Sequence, residues 1–391
     1  MEHEALTAWL RLALTPGVGN DAARRLLAAF GLPQAIFSQS TRALEQVVSS
    51  AQARALRQTP DRLAQTAETT ARWLEGGDAQ SSGGMQRRLV TLGDALYPPA
   101  LLCMEDPPVM LYALGQLGAG VLDGAAALAM VGSRNPTPQG AINARQFARA
   151  FVDAGLTVVS GLALGIDAAA HEGALQAAEE GTGSARPATV AVVGTGLDRV
   201  YPSRNRALAH RIAQNGVIFS EYHLGTPPLA ANFPKRNRLI AGLSQGALVV
   251  EAALQSGSLI TARLAAEQGK EVFAIPGSIH SVQSRGCHGL IKQGAKLVES
   301  ARDVLEELRV PMAAAQAPAA AALPGAALVA AASPEDTPLL QALGADPVSL
   351  DALQARTGLD TAQLQAQLLE MELQGHVARL PGGLFQRLSS A

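Results

Sequence analysis

The sequence predicts an α/β protein. We expect an extended Rossmann-like, doubly wound and mostly parallel sheet, with an N-terminal helical domain and a C-terminal winged-helix domain. Three observations predict this. The middle of the 391-residue chain alternates short apolar, β-prone runs with segments of helical length, which is typical of a parallel sheet covered on both faces. The first part has apolar residues at helical spacing, and the last part joins two helices to a glycine turn. The length itself suggests two or three domains.

Residues 1–80 are predicted to form a helical domain of the helix-hairpin-helix or SAM-like type. Apolar residues recur at helical spacing on either side of a glycine turn, namely Leu6, Leu10 and Leu14 before Pro16–Gly19, then Leu26, Leu27 and Phe30. The backbone N–H groups of such a turn could hold a phosphate. Equally, the glycines could simply turn a helical bundle, and both interpretations stay open.

Residues 85–310 are predicted to form the Rossmann-like domain, with the proline-rich stretch 85–115 as a connector packed on the remainder of that domain. The predicted strands are Leu128–Gly132, Leu156–Ser160, Thr189–Gly194, Val217–Ser220, Ala247–Glu251, Glu271–Ile275 and Lys296–Val298. Helical segments separate most of them, including Gln139–Ala154 and Gly165–Ala178. Ligands of such sheets bind beyond the carboxyl ends of the strands, so the loops there form the candidate site.

The last part of the chain is predicted to be a linker, 311–335, and a winged-helix domain, 336–391. The apolar run Ala313–Ala332 is rich in alanine and broken by two prolines, unlike a membrane span. The winged-helix pattern consists of the helical segments Leu350–Arg356 and Thr361–Gln374, followed by Val377–Arg387 with its Pro-Gly-Gly turn.

Charge and cysteine content restrict the function. The net charge of −2 argues against a protein that coats nucleic acid by bulk charge. Residues 110–310 nevertheless carry 18 basic and 15 acidic side chains, whereas 311–391 carry three basic and seven acidic ones. A polyanion site is therefore expected in the middle. Two distant cysteines, Cys103 and Cys287, and an acidic start without a secretory signal predict a reducing, cytoplasmic location.

Two glycine loops at predicted strand ends are candidate anion sites. The first, Gly132–Asn135, offers the Ser133 hydroxyl and the planar guanidinium of Arg134, which matches phosphate. In the second, Gly161 and Gly165 allow amides at a helix start to face an anion. Tight packing of strand against helix explains either loop alone about equally well.

The segment Phe233–Arg238 is the most informative. It places the cations Lys235, Arg236 and Arg238 beside the amide of Asn237 and the aromatic ring of Phe233, which suits phosphates and a stacked base. A solvated charge run is the usual explanation for such a cluster. It is weaker here, because the cluster lies between a loop and an apolar helix predicted to begin at Leu239.

A fourth loop, Ser256, Gly257 and Ser258, follows the fifth predicted strand and again combines glycine with hydroxyl groups. Four such loops at one sheet edge are far more specific than any one. Suppose that Arg134, Lys235, Arg236 and Arg238 each neutralise one phosphate. A plot of the logarithm of the affinity for single-stranded DNA against the logarithm of the salt concentration then has a slope of about −3 per protomer.

Cofactor and metal patterns are absent from the sequence. It contains no Gly-x-x-x-x-Gly-Lys-Ser/Thr loop, and Gly194-Thr195-Gly196 lacks the third glycine of a dinucleotide fingerprint. The spacing of His280, Cys287 and His288 matches no reliable metal-ligand motif. We expect neither a cofactor nor a metal.

Taken in order, the motifs resemble the DNA-processing protein A family (DprA, also called Smf) over roughly 85–305. The matching residues are Gly-Ser-Arg at 132–134, Ser-Gly-x-Ala-x-Gly-Ile-Asp at 160–167, His171, Tyr201-Pro202, Asn205, Ser220-Glu221, Phe-Pro-Lys-Arg-Asn-Arg at 233–238, Gly-Leu-Ser at 242–244, Val-Val-Glu-Ala at 249–252, Ser-Gly-Ser-Leu at 256–259, Pro276-Gly277 and Gly-Cys-His at 286–288.

The resemblance implies a non-catalytic homodimer that binds single-stranded DNA and loads a RecA-type recombinase onto it during natural transformation in competent cells. A single-strand-binding protein is a further candidate partner. By resemblance, the phosphate-binding positions are Ser133, Arg134 and 235–238, with loop amides near Gly161 and 256–258. The dimer surface, which overlaps the recombinase surface in the family, maps to His288, Ile291 and Leu297.

The winged-helix segment departs from a DNA-binding pattern, because no Lys or Arg lies between Arg356 and Arg379. We hypothesise that it contacts protein or regulates. Two other functions remain open. One is a nucleotide-cleaving enzyme like the lysine-decarboxylase-like phosphoribohydrolases, although the acidic residue of their Pro-Gly-Gly-x-Gly-Thr-x-x-Glu loop is absent near 256–263. The other is a repair factor that prefers duplex DNA.

Overall fold

A nine-stranded, mostly parallel sheet forms the centre of the molecule. The computed structural model describes residues 2–76, 85–118, 127–181, 186–310, 338–344, 347–380 and 382–388. The sheet order is β1-β2-β6-β5-β4-β3-β7-β8-β9, with strands β1 Gln86–Thr91, β2 Met110–Gly115, β3 Ala127–Val131, β4 Thr157–Ser160, β5 Thr189–Val193, β6 Val217–Ser220, β7 Gly246–Val249, β8 Glu271–Ala274 and β9 Lys296–Leu297. The predicted fold class is confirmed.

The topology places a switch point beside β3. From β3 the chain continues through β4 and β5 to β6 on one side, and then returns to β7, which pairs with β3 on the other side. All pairs among β3–β9 are parallel. The loops after β3 and β7 therefore diverge and leave a crevice, where ligands of this sheet type bind.

The seven predicted strands agree with the structure to within two residues at each end. The interpretation of 85–115 as a connector was incomplete, because β1 and β2 extend the sheet in antiparallel fashion. The prolines that suggested a connector, at 98–99 and 107–108, lie between these two strands and leave both ladders intact.

Helices cover both faces of the sheet. They are α7 Pro138–Asp153, α8 Ile166–Glu180, α9 Arg206–Asn215, α10 Asn232–Gly242, α11 Ser258–Glu267, α12 Arg285–Lys292 and α13 Ala301–Glu307. Each face of the sheet packs against helices in a separate hydrophobic core. Alternate residues of β3 point into the two cores, since Ala129 and Val131 belong to one buried cluster and Leu128 and Met130 to the other. Within the described ranges, no helix is long and apolar enough to cross a membrane.

Helix α10 begins earlier than predicted. The sequence suggested a helix from Leu239, whereas the structure begins it at Asn232, so that Phe233–Arg238 is helical. Pro234 lies in the first turn, where the backbone N–H groups have no partner within the helix, and it is therefore tolerated there. The cations of this segment consequently point in different directions around a helix.

The N-terminal helices pack on β1 and β2. They are α1 His3–Leu14, α2 Asn20–Phe30, α3 Pro33–Ser38, α4 Thr41–Leu44, α5 Ser50–Leu56 and α6 Leu63–Glu75, with the predicted hairpin between α1 and α2. Tyr112 of β2 is fully buried in their core. Its ring meets that of Trp73 edge-on at 5.9 Å, and its hydroxyl lies 3.1 Å from Thr70 Oγ1 and 3.3 Å from His223 Nδ1.

The C-terminal residues form a small winged-helix unit with its own core. Its elements are α14 Pro338–Leu343, β10 Val348–Ser349, α15 Leu350–Thr357, α16 Thr361–Leu373, β11 Val377–Leu380 and β12 Leu384–Arg387, and its strand order is β10-β12-β11. The linker predicted for 311–335 lies outside the described residues.

We predict that Tyr112→Ala lowers the free energy of unfolding by about 3–5 kcal/mol, because it leaves a cavity between the helical domain and the sheet. Tyr112→Phe keeps the ring and removes only the hydroxyl bonds, at a cost of about 1 kcal/mol. Urea unfolding of the full chain measures both. Equal losses in the two variants would contradict the central packing role of the ring.

Candidate nucleic-acid interface

A cavity of about 710 Å³ opens at the switch point. Its wall includes Gly132–Asn135 after β3, Ala163 and Asp167 after β4, and Ser256–Ser258 after β7. Helix α10 contributes Phe233, Pro234, Arg236, Asn237 and Ile240. The structure thus brings residues of all four candidate loops to one place, although Lys235, Arg238, Gly161 and Gly165 are not among the lining residues.

Backbone bonds hold the β3 loop against its neighbours. The Ser133 N–H donates to the Glu251 carbonyl at 2.7 Å, and the Ile166 N–H donates to the Ser133 carbonyl at 3.0 Å. Gly165 has φ +81°, and a Cβ there would overlap the Ser133 carbonyl, so both conformation and space require glycine. The Ser133 hydroxyl accepts from the Asn135 N–H at 3.1 Å and orders the loop.

Arg236 is a buried cation beneath the cavity, only 6% exposed. Its Nη1 donates to the carbonyls of Gly161 and Val192, and its Nε donates to Asn237 Oδ1 at 2.9 Å. Any Cβ at Gly161 would overlap the guanidinium, which explains the glycine there. With most of its N–H groups committed to protein oxygens, Arg236 supports the wall and adds positive potential to it.

Two further titratable groups lie under the same wall. Burial raises the pKa of Asp167, and the Arg236 guanidinium 3.9 Å away opposes that rise. Burial, assisted by Arg236, lowers the pKa of His171 to about 3, so the ring is neutral. Thr189 Oγ1 donates to the Val158 carbonyl and therefore accepts from His171 Nδ1 at 2.6 Å. The proton is thus on Nδ1, and Nε2 is an acceptor.

One cation and two aromatic rings meet at the cavity. The Arg134 guanidinium carbon lies 5.8 Å from the centre of the Phe233 ring, within cation–π range. The Tyr201 ring lies 5.6 Å from Phe233 and is 46% exposed. Tyr201 was not among the predicted site residues. The signal in the sequence was the Tyr201-Pro202 motif of the family resemblance, which places an aromatic residue in a chain with only 4% aromatic residues.

Lys235 and the serine loop complete the surface. Lys235 is exposed on α10 next in sequence to the lining residues Pro234 and Arg236, although it does not itself line the cavity. No ion-pair partner for it occurs among the described residues. Asn237 Nδ2 donates to the Gly257 carbonyl at 3.3 Å and so joins α10 to the loop after β7. The hydroxyls of Ser256 and Ser258 lie 2.7 Å apart at the start of α11.

Arg238 departs from the sequence expectation. Its guanidinium binds the Glu221 carboxylate, with Nη2 to Oε2 at 2.6 Å, and donates to the Asp106 carbonyl at 2.7 Å. Asn20 of the N-terminal domain donates to the same carboxylate at 2.8 Å. Both ion-pair side chains are 19% exposed. Arg238 therefore ties α10 to the loop before β2 and, through Glu221, to Asn20 of the N-terminal domain. Helical phase turns it from Arg236, and it does not line the cavity.

The predicted dimer and recombinase residues lie at the β9 edge of the sheet. Leu297 is exposed on β9, Ile291 on α12 is half-buried, and His288 Nε2 lies 2.9 Å from the Gly277 carbonyl. Over the ranges that the structure describes, no cluster of His, Cys, Asp or Glu is suited to hold a metal.

Comparison with known families identifies this arrangement. A family model described as DNA recombination-mediator protein A matches residues 88–309, and a DprA winged helix domain model matches residues 313–383. The first match alone covers more than half of the chain. The chain belongs to the DNA recombination-mediator protein A family.

Individual members of the family are similar over much of their length. Protein Smf of Escherichia coli K12 is 43% identical over 298 residues, which is 75% of this chain and 76% of that protein. The DNA processing protein DprA of Streptococcus pneumoniae is 46% identical over 214 residues, 55% of this chain and 72% of that protein. The resemblance inferred from the motifs is confirmed.

Solved structures of the family have the same fold. DprA from Streptococcus pneumoniae superposes with a TM-score of 0.60 and 36% identity, covering 77% of this chain and 97% of that one. A structure of DNA processing protein A from Helicobacter pylori is described for its single-stranded DNA binding mode. It superposes with a TM-score of 0.50 and 32% identity, covering 57% of this chain and 96% of that one.

We predict that Arg238→Ala and Glu221→Ala each lower the free energy of unfolding by about 2 kcal/mol, because each leaves a half-buried charge without its partner. The double variant should lose less than the sum of the two. Thermal or urea unfolding of the three variants gives the coupling. Strictly additive losses would mean that the ion pair does not join α10 to its neighbours.

Proposed function

We propose that the chain binds single-stranded DNA at the switch-point cavity and its rim. The observation that carries this proposal is the convergence of the exposed cation Arg134 with the Phe233–Tyr201 rings beside the 256–258 loop. Lys235 adds a second exposed cation on the same helix as Phe233. Cations attract the phosphates, and exposed rings stack bases without regard to sequence. The description of the Helicobacter pylori relative supports the same class of ligand.

In this proposal the site residues have unequal roles. Arg134 and Lys235 contact phosphates directly, and Phe233 and Tyr201 stack bases. Ser133, Gly161, Gly165, Arg236 and Asn237 shape and charge the wall, while Ser256, Gly257 and Ser258 offer hydroxyl and amide groups. Arg238, already paired with Glu221, is left out of the phosphate contacts.

We further propose that the bound strand is handed to a RecA-type recombinase, as expected of a recombination mediator in natural transformation. A dimer formed through the β9 edge would present two cavities to one strand and so increase avidity. The exposed Leu297 gives that edge an apolar contact. Such loading requires no bond cleavage, and we propose that the chain is not an enzyme.

We predict a salt slope for oligo-dT binding of about −1.4 per protomer instead of −3, since two cations remain for direct phosphate contact at about 0.7 each. Arg134→Ala or Lys235→Ala should each reduce the slope by about 0.7 and weaken binding. Arg238→Ala is the matched control and should leave the slope unchanged. Fluorescence anisotropy over a range of salt concentrations, against a matched duplex, measures this.

The same titration separates the alternatives. If Lys235→Ala binds as the unaltered chain does, the site assignment is wrong. If duplex binds more tightly than oligo-dT, the repair-factor interpretation is favoured instead.

We predict that the full chain speeds recombinase filament formation on oligo-dT coated with single-strand-binding protein. Leu297→Glu should abolish most of this stimulation while leaving DNA binding by each protomer intact, because it places a charge in an apolar contact. Leu32→Glu, at a leucine 64% exposed in the N-terminal domain, is the matched control. Equal stimulation by both variants would rule out the β9 edge as the loading surface.

A further inference from the structure

Helix α16 of the winged-helix unit has two apolar faces. Leu364, Leu368 and Met371 are buried in the core of the unit. Four other apolar residues of the helix are exposed, namely Ala362, Ala366, Leu369 and Leu373. At about 100° per residue these four fall within an arc of about 60°, opposite the buried three. We call them the outer stripe.

The outer stripe has the spacing of a helix-packing seam. Its members follow one another at intervals of four, three and four residues, which is the heptad pattern through which two helices pack. Leu369 is 57% exposed and Leu373 is 82% exposed. Large apolar side chains aligned on one exposed face mark an interaction site more reliably than scattered ones do.

The residues beside the stripe are polar or acidic. By the same helical geometry, Gln365 and Glu372 flank it on one side, and Gln363 and Glu370 on the other. Asp360 caps the start of the helix by accepting from the Gln363 N–H at 2.9 Å. No Lys or Arg occurs from 357 to 378. This face is suited to repel a DNA backbone and to attract cations.

We propose that the outer stripe docks a basic amphipathic helix of a partner protein, with apolar residues at heptad spacing and Lys or Arg on both flanks. Charge complementarity with Glu370 and Glu372 selects this occupant. The segment 311–337 of the chain itself has no Lys or Arg and carries Glu335 and Asp336. A second copy of α16 would likewise bring glutamates and no cation.

The test uses two labelled three-heptad peptides with leucine at positions a and d, one with lysine and one with glutamate on the flanks. The full chain should bind the lysine peptide and not the glutamate peptide. Leu369→Gln/Leu373→Gln should weaken binding about tenfold or more, because two leucines no longer become buried. Glu370→Lys/Glu372→Lys should reverse the preference between the peptides.

Controls keep the result interpretable. Leu32→Gln, at another exposed leucine, should bind the lysine peptide like the unaltered chain, and thermal unfolding should show that every variant is folded. Equal affinity for both peptides, or none for either, overturns the proposal. So does a smaller oligomer for the double leucine variant in sedimentation without peptide, which would identify a second copy as the occupant. Loss of duplex DNA binding in that variant would identify DNA.

Discussion

The burial of Arg236 is the constraint on which the site depends. A guanidinium taken out of water has to be satisfied by oxygens of the protein, and here the carbonyls after β4 and in β5, together with the Asn237 side chain, provide them. Because those oxygens belong to separate elements, one side chain fixes their relative positions. The requirement for glycine at 161 follows directly, since the guanidinium occupies the space of a Cβ.

This arrangement reconciles the proposed polyanion site with a chain whose net charge is −2. The cations near the cavity differ in burial and in whether they are paired with a carboxylate. Arg236 is internal and compensated, Arg238 is engaged with Glu221, and Arg134 and Lys235 are exposed. Among the described residues, two exposed cations without a carboxylate partner therefore lie at or near the cavity opening, even though the chain as a whole is slightly acidic.

The sequence predicted the fold closely because alternation of apolar runs and helices is a strong, repeated signal, as at β4, β5 and β6. It missed β1 and β2, although each is six residues long, because the prolines between them suggested a connector. At the candidate site, the structure brings the predicted segments to one cavity but gives their side chains different environments. Lys235, Arg236 and Arg238 cannot be told apart by residue type. The phase of α10 buries Arg236, and the Glu221 carboxylate pairs Arg238 while Lys235 stays exposed. Tyr201 comes from a loop distant in sequence. In the sequence it was marked only as part of a family motif, and its position beside Phe233 is visible only in the structure.

The two ends of the sheet limit how copies of the chain can associate. β9 is two residues long and carries Lys296, and β1 at the opposite end carries Arg87 and Arg88. An edge strand that is very short, as β9 is, or that carries charged side chains, as β1 does, is a poor template for the main-chain ladder of an added strand. Association of copies by extension of the central sheet is consequently disfavoured, which leaves side-chain packing as the way for two copies to meet.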